Sequence, residues 1–490
     1  MSIVATPALA RLRGRFPAPA STRVLVHRGT CGDAVDVGGV VEVLRAALGT
    51  RASSVVETAC DGACWAAPAA TVVRPGHRHR FARLDREPLE AVVACLGGAC
   101  EDAYAGSGER GLLARVGHLD GSLADALAQG AYLALAHAVT RKPDEVIEAV
   151  QRAGLSGRGG AHFVTAQKWR LAAANAGPRM LVVNAEEGEP GVFKDRHVLE
   201  GDPHRLIEGV LIAAHAAGIA RAVIYVNGQA RNARRAVDLA VTQAREAGLL
   251  DGSALGGTGV QIEVRSGAGG YVCGEESVIL NSIEGERPVP RTKPPFATDR
   301  GLFDRPTVIN NAETLCAATT VFDDPPPPTK LIPLSGAVPR PGLYEVPVDG
   351  ITAWSGVLAM AGANPQRVRA LLLGGPSGRF VLPEEFDVPL DMRGLGAGGV
   401  VVLPLDVDIP RITRALAAYN ARESCGECTP CREGTPRLVA LLEDASANRA
   451  QIDALIEVMT EASLCQLGGL AGKPVASALA LFPQDFEAAR

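Results

Sequence analysis

The stretch LVVNAEEGEPG, residues 181–191, decides how the middle of the chain is read. Leu181 to Asn184 form an apolar, β-branched run that predicts a strand. Three carboxylates, Glu186, Glu187 and Glu189, follow within four residues, framed by Gly188 and Gly191. As a solvated acidic turn they would be unremarkable. As a site, they can accept hydrogen bonds from ribose hydroxyls or ring N–H groups.

Working outward, 203–217 reads as a helix entered by Pro203, and RAVIYV at 221–226 as the next strand. From about 125 to 320 helices alternate with short strands, which predicts a helix-flanked sheet, Rossmann-like in outline. Upstream, GRGG at 157–160 precedes a helix-like segment with Lys168 and Trp169. Glycine amides at a helix start hold phosphate and a lysine adds charge, although such a loop alone is more often a plain turn. Downstream, GAGGYVCGEE at 267–276 sets Tyr271 beside Glu275 and Glu276, a ring able to stack on or border a flavin. Lys293, Phe296, Asn310, Asn311 and Thr314 follow.

The carboxyl-terminal part carries the sharpest spacing. CGECTPC at 425–431 is C-x2-C-x2-C, with Cys465 the only later cysteine. Three thiolates so spaced wrap one corner of a cubane, and a remote fourth completes a [4Fe–4S] site. Structural zinc usually takes two separated pairs and fits this run poorly.

At 490 residues the chain is expected to form two to four domains. Its 49 basic and 54 acidic residues, net −5, give no one-sided basic face for nucleic acid. The most basic run, HRHR at 77–80, reads as a solvated turn. The first sixteen residues lack a signal-peptide pattern. The apolar stretch 206–226 contains Glu208, His215 and Arg221, so it reads as buried helix then strand, and no membrane span is expected. Eleven cysteines without an export signal point to a reducing, cytoplasmic setting and to metal or redox chemistry in place of disulfides.

Strands at 23–27, 54–58 and 69–73 and a helix at 37–48 make a small α/β unit over 1–100, with Cys31, Cys60 and Cys64 in its loops. Residues 101–124, within a Gly-, Ser- and Asp-rich stretch, read as a linker. The central unit spans 125–324, and the tetraproline Pro325 to Pro328 marks a stiff boundary. A β-rich unit covers 329–405. A helical unit covers 409–490, with helices near 411–422, 433–445 and 449–460 and the clustered cysteines in the loop between the first two.

These motifs, in this order over about 145–470, resemble the NADH-binding flavoprotein subunits of respiratory complex I, of NAD-reducing hydrogenases and of NAD-dependent formate dehydrogenases. The resemblance implies an α/β multidomain chain with a Rossmann-like FMN/NADH domain, a β-grasp (soluble-ligand-binding) domain and a helical [4Fe–4S] domain. By matching position it implies that Gly157, Arg158, Gly159, Lys168, Asn184, Glu186, Tyr271, Gly274, Glu275, Asn310, Asn311 and Thr314 contact FMN. Phe163, Glu187, Glu189, Glu276, Lys293 and Phe296 would face the nicotinamide nucleotide, and Cys425, Cys428, Cys431 and Cys465 would hold the cluster. The chain departs from the family pattern at His162, where glycine is usual, at Leu171, Glu186 and Gly270, and in a shorter gap from Cys431 to Cys465.

The first hundred residues resemble the thioredoxin-like [2Fe–2S] ferredoxin of the same complexes, which uses C-x4-C then C-x3-C. Cys60 and Cys64 match the second pair and Cys31 the start of the first, but position 36 is Asp. Three thiolates and a carboxylate make a poor [2Fe–2S] site, so the domain reads as degenerate and kept for docking, with Cys95 or Cys100 as other candidate ligands.

The implied work is electron movement between NAD(H), FMN and [4Fe–4S], with no side chain acting as nucleophile or general acid. The implied partners are ferredoxin-like and catalytic metal subunits of a soluble formate dehydrogenase or hydrogenase. A complex I-type quinone oxidoreductase subunit and a non-enzymatic iron–sulfur scaffold are the alternatives.

Overall fold

The computed structural model describes residues 5–19, 22–75, 77–86, 89–98, 100, 111–322 and 328–488. Three sheets organise it. The first holds β1 (Arg23–Arg28), β2 (Val55–Ala59), β3 (Ala69–Arg74) and β4 (His77–Phe81) in the order β2-β1-β3-β4. The β1–β2 pair is parallel and the other two are antiparallel. The HRHR run is thus the edge strand β4 and not a turn. Its first residues, His77 and Arg78, are exposed, and burial grows along the strand to Arg80, which is buried.

The second sheet is wholly parallel: β5 (Arg179–Ala185), β6 (Ile219–Val226), β7 (Gln261–Ser266) and β8 (Thr307–Asn311), ordered β7-β6-β5-β8. The helix Pro203–Ala217 packs against it with nearly every residue buried. Its ends are written locally: Asp202 accepts from the Arg205 amide at 3.2 Å, Pro203 fills the first turn, and Gly218 closes it at φ 64°. From β5 the chain moves outward through β6 to β7, then returns to place β8 on the other side of β5. The order reverses between β5 and β8, and the crevice beyond their carboxyl ends is where open α/β sheets bind ligands.

The third sheet holds β9 (Thr329–Gly336), β10 (Gly342–Pro347), β11 (Val368–Leu373), β12 (Arg379–Val381) and β13 (Val400–Pro404), ordered β10-β9-β13-β11-β12. The β9–β13 pair is parallel and its other pairs are antiparallel. The helix Trp354–Met360 lends its buried face to this sheet's core. The chain ends in helices, chief among them Ile409–Glu423, Thr429–Leu441 and Arg449–Ala462.

Several expectations change. The tetraproline and the first half of the expected linker, 101–110, lie outside the described residues except for Pro328. The second half is no free linker: Leu112, Leu113, Val116 and Leu119 are buried in the central core. Leu112 and Leu113 donate their amides to Glu345 of β10, each at 2.9 Å. Leu9 and Leu12, on the first helix Pro7–Arg15, belong to that same core and not to the first sheet's. Cys95 and Cys100 form a disulfide where none was expected. Cys431 sits in the first turn of its helix, not in the preceding loop.

Candidate functional site

The site grows from the carboxyl ends of β5 and β8. Asn184 donates to the Gly274 carbonyl at 2.8 Å and accepts from the Glu186 amide at 3.1 Å, tying the acidic turn to the 267–276 loop. Asn311 donates across the switch point to the Asn184 carbonyl at 3.2 Å, and Asn310 accepts from the Trp169 indole at 2.8 Å. Thr314 accepts from the Arg158 amide at 2.9 Å, which pins the GRGG loop over the same crevice. Gly159 lies close beneath it, where a Cβ would stand 3.2 Å from that of Asn311. The amide of Gly157 donates to Phe163 at 2.9 Å and closes the loop.

The acidic residues divide in two. Glu275 caps the helix Glu276–Glu284 through the amides of Ser277 and Val278 and pairs with Lys293 at 2.7 Å. Glu276 pairs with Lys168 at 2.5 Å. The buried carboxylate of Glu187 is taken up by the amides of Asp195 and Arg196, at 2.8 and 3.2 Å. These three are satisfied. Glu186 Oε2 and Glu189 Oε1 are buried and have no hydrogen-bond partner among the described residues. Burial pushes both carboxyls up to about 7, although the Gly269 and Gly270 amides resist this at Glu186.

Glycines hold open the space beside those orphan oxygens. A Cβ on Gly267 would fall 1.8 Å from Glu186 Oε2, and one on Gly188 would fall 2.9 Å from the Gly270 carbonyl. Only glycine permits so close an approach of the two loops. Glu189 faces the turn Gly374–Gly375 between β11 and β12, so the third sheet forms one wall. The last unit forms another: Tyr271 donates its amide to Glu423 at 2.8 Å, and Tyr419 donates its hydroxyl to the Gly188 carbonyl at 3.1 Å. Burial raises the Tyr271 phenol, which contacts Ser377.

Phe163 and Phe296 stand exposed at the mouth, with Lys168 Nζ 5.7 Å from the Phe163 ring centre. Gly160 to Val164, Gln167 and Arg393 line a cavity of about 510 Å³ there. His162, at φ 51°, projects into this rim, and burial lowers its imidazole. A second cavity of about 320 Å³ lies on the Glu187 side, between Arg196, Asn227 and Arg231.

Sequence reasoning missed a buried charged cluster under the pocket. Lys194 Nζ lies 2.8 Å from Asp195 and 3.1 Å from Glu313, and Lys330 Nζ lies 2.6 Å from Glu313. Lys330 also donates to the Arg158 carbonyl at 3.0 Å. No motif marks either lysine. Only the juxtaposition of the second and third sheets joins them.

The four carboxyl-terminal cysteines sit at helix starts or just before them. Cys425 follows the helix that carries Glu423, Cys428 and Cys465 occupy helix N-caps, and Cys431 lies one turn in. A Cβ on Gly468 would stand 2.8 Å from that of Cys431, so these two helix starts abut. Burial raises the Cys431 thiol, with Cys428 and Cys425 adding to the rise. Burial also pushes Cys465 up to about 11, against the amides of Leu467 and Gly468 and with help from Glu275 and Cys425. Thiols that repel one another's ionisation, with Cys465 also facing helix-start amides, suit an iron–sulfur core, which binds them as thiolates. The residues present fit both the flavin cradle and the cluster.

Comparison with known proteins agrees. Residues 150–320 match the Nuo51 FMN-binding domain, and 411–489 match the NADH-ubiquinone oxidoreductase-F iron–sulfur binding region. The F-type NADH-quinone oxidoreductase polypeptide of Aquifex aeolicus is 37% identical over 390 residues, 75% of this chain and 91% of that one. HndC of the NADP-reducing hydrogenase of Solidesulfovibrio fructosivorans is 35% identical over 395 residues, 75% of this chain and 80% of its own. A chain in the crystal structure of an NAD+-reducing [NiFe]-hydrogenase, in the H2-reduced state, superposes with a TM-score of 0.69 at 31% identity, over 98% of this chain and 87% of that one. The chain therefore belongs to the family of F-type NADH-quinone oxidoreductase polypeptides and their hydrogenase relatives, FMN- and iron–sulfur-binding components of oxidoreductase complexes.

Proposed function

We propose that this chain is the NAD(H)-linked electron module of a soluble, cytoplasmic multi-subunit enzyme of the hydrogenase or formate dehydrogenase kind. One observation carries the choice over a quinone reductase. A solved hydrogenase chain superposes on 98% of this one, amino-terminal sheet included, while by sequence the hydrogenase and quinone oxidoreductase relatives each cover 75% of it. Among the described residues no helix is long and apolar enough to cross a membrane. On this reading residues 23–100 are a thioredoxin-like unit and 329–405 a β-grasp unit, whose five strands and single crossing helix fit that form.

On this reading the pocket residues would take the roles that the resemblance implies. Gly157, Arg158, Gly159, Lys168, Asn184, Glu186, Tyr271, Gly274, Glu275, Asn310, Asn311 and Thr314 would hold FMN. Phe163, Glu187, Glu189, Glu276, Lys293 and Phe296 lie toward the nicotinamide nucleotide, with Phe163 and Phe296 exposed where a planar ring can stack. When bound, FMN supplies the exchange between two-electron hydride chemistry and single-electron transfer to the cluster. The chain orients both nucleotides: its orphan carboxyl oxygens accept their N–H or O–H donors, and the three surrounding units exclude water. Glu423, bonded to the Tyr271 amide and two residues before Cys425, couples pocket and cluster mechanically. No side chain is required as nucleophile or general acid.

Purification of the native complex tests the choice. A co-purifying molybdenum, tungsten or nickel–iron subunit supports the proposal, and co-purifying membrane subunits point to the quinone reductase. Iron without flavin, and no ferricyanide reduction by NADH, would leave a scaffold.

A further inference from the structure

We propose that Cys60, Cys64 and His197, together with Cys31, bind a single tetrahedral zinc ion that clasps the amino-terminal unit to the flavin-binding unit. The ligand atoms of Cys60, Cys64 and His197 all lie within 4.8 Å of one another. Cys31 lies outside that group but, like His197, interacts electrostatically with Cys64. Zinc with Zn–S bonds of about 2.3 Å sets its thiolates roughly 3.8 Å apart, so three donors gathered this tightly suit one ion, with Cys31 beside Cys64 as the fourth ligand. A two-iron cluster spreads two pairs of ligands over two metals.

The ring of His197 is already oriented. Its Nδ1 donates to the Phe193 carbonyl at 2.7 Å, which leaves Nε2 as the ligating nitrogen. Cys60 accepts from the Gly62 amide at 3.4 Å, a bond that favours a thiolate. Asp36, at the position where the ferredoxin pattern has its fourth cysteine, is committed elsewhere. It sits at φ 54° as the N-cap of the helix Val37–Leu48 and accepts from the Gly39 amide at 3.3 Å. Three sulfurs and one imidazole make a set that zinc takes readily in structural sites.

The place explains the use. His197 lies on the helix Lys194–Gly201, whose first residues, Lys194 and Asp195, belong to the charged cluster under the pocket. The loop 60–64 also accepts from the Leu343 amide of β10, at Gly62 and 2.9 Å. A metal here cross-links residues distant in sequence at the junction of three units, where one tie stabilises most.

The full-length chain, purified with its partner subunits, should contain one zinc in addition to its iron by elemental analysis. His197→Ala and Cys64→Ser should lose that zinc and keep the iron, while His197→Cys should retain it. Protein produced with cobalt in place of zinc should show the intense thiolate-to-cobalt absorption and ligand-field bands of a tetrahedral site, and His197→Ala should abolish them. This readout uses wild-type protein and so survives misfolding of a variant. Absence of zinc and of the cobalt spectrum from the wild type would overturn the proposal. So would two extra irons with matching sulfide, lost on Cys64→Ser, because these would make the site a two-iron cluster.

Discussion

Lys330 donates to Glu313 across 2.6 Å, and neither side chain is exposed to solvent. The lysine belongs to β9 of the third sheet and the glutamate to the helix Ala312–Ala318 that follows β8. Burial pushes the Glu313 carboxyl up, but Lys330, Lys194 and Arg158 outweigh it and hold it at about 2. Burial draws Lys330 down to about 8 against the pull of Glu313, and at neutral pH the pair is charged. Through this pair the third sheet grips the GRGG loop, since Lys330 also holds the Arg158 carbonyl.

Glu313→Ala leaves the buried Lys330 ammonium without its paired carboxylate and Lys194 with Asp195 alone, so unfolding free energy should drop by about 3–5 kcal/mol. Denaturant melts of flavin-free protein would measure it, and a change within error would count against the cluster as a structural tie. The pH sense is set by the lowered carboxyl. Its contribution is complete above 4.5, the ordinary glutamate value, and disappears as pH falls toward 2.

Glu186 should behave oppositely. Its carboxyl, raised to about 7 by burial, holds a proton in the folded state between about 4.5 and 7 that the unfolded chain has released. Stability of the flavin-free protein should therefore fall as pH rises through that window and level off above it. Glu186→Gln should flatten the slope by on the order of 2 kcal/mol between pH 5 and 8. Glu189, also raised to about 7, should leave a residual slope. Identical pH profiles for variant and wild type would refute the assignment of a neutral, buried Glu186.

Gly267→Ala forces a methyl group into Glu186 and against the Tyr225 ring, at 1.8 and 2.7 Å. The cost should be about 1–3 kcal/mol, from moving the 267–276 loop off the acidic turn. Flavin content per chain should fall with it, and full flavin occupancy would show that the loops are not apposed in solution.

Serine at Cys428 or Cys465 should remove the iron and its broad visible absorption while leaving FMN bound. Reduction of ferricyanide by NADH, which needs only the flavin pocket, should persist within about threefold, whereas reduction of partner subunits should stop. Loss of flavin together with the iron would mean that the helical unit is a wall of the pocket that cannot stand without its cluster.

What the chain's letters reveal follows from how local each feature is. The strand ending at Ala185 and the helix capped by Asp202 depend on neighbours within a few residues, and the expected and observed elements agree closely there. Non-local features stayed hidden. The stretch 111–122 looks like a linker by its glycines and polar residues, yet Leu112, Leu113, Val116 and Leu119 are spaced to meet a core built by other segments. Lys194 and Lys330 look like ordinary surface lysines until two sheets close over them. Asp36 looks like a replaced ligand and proves to be a helix cap, while His197, far along the chain, stands beside Cys60 and Cys64.

The bond from the Leu343 amide to Gly62, with a Gly342 Cβ barred by the same carbonyl at 2.3 Å, sets a timetable for synthesis. The amino-terminal sheet leaves the ribosome early, but the strand it leans on is made roughly 280 residues later, an interval of about 15–55 s at ordinary translation speeds. Throughout that wait its docking face, with the free thiols Cys31, Cys60 and Cys64 near it, is bare. Newborn chains of this kind should depend on chaperones at their amino-terminal end above all, and truncations before residue 343 should aggregate through it.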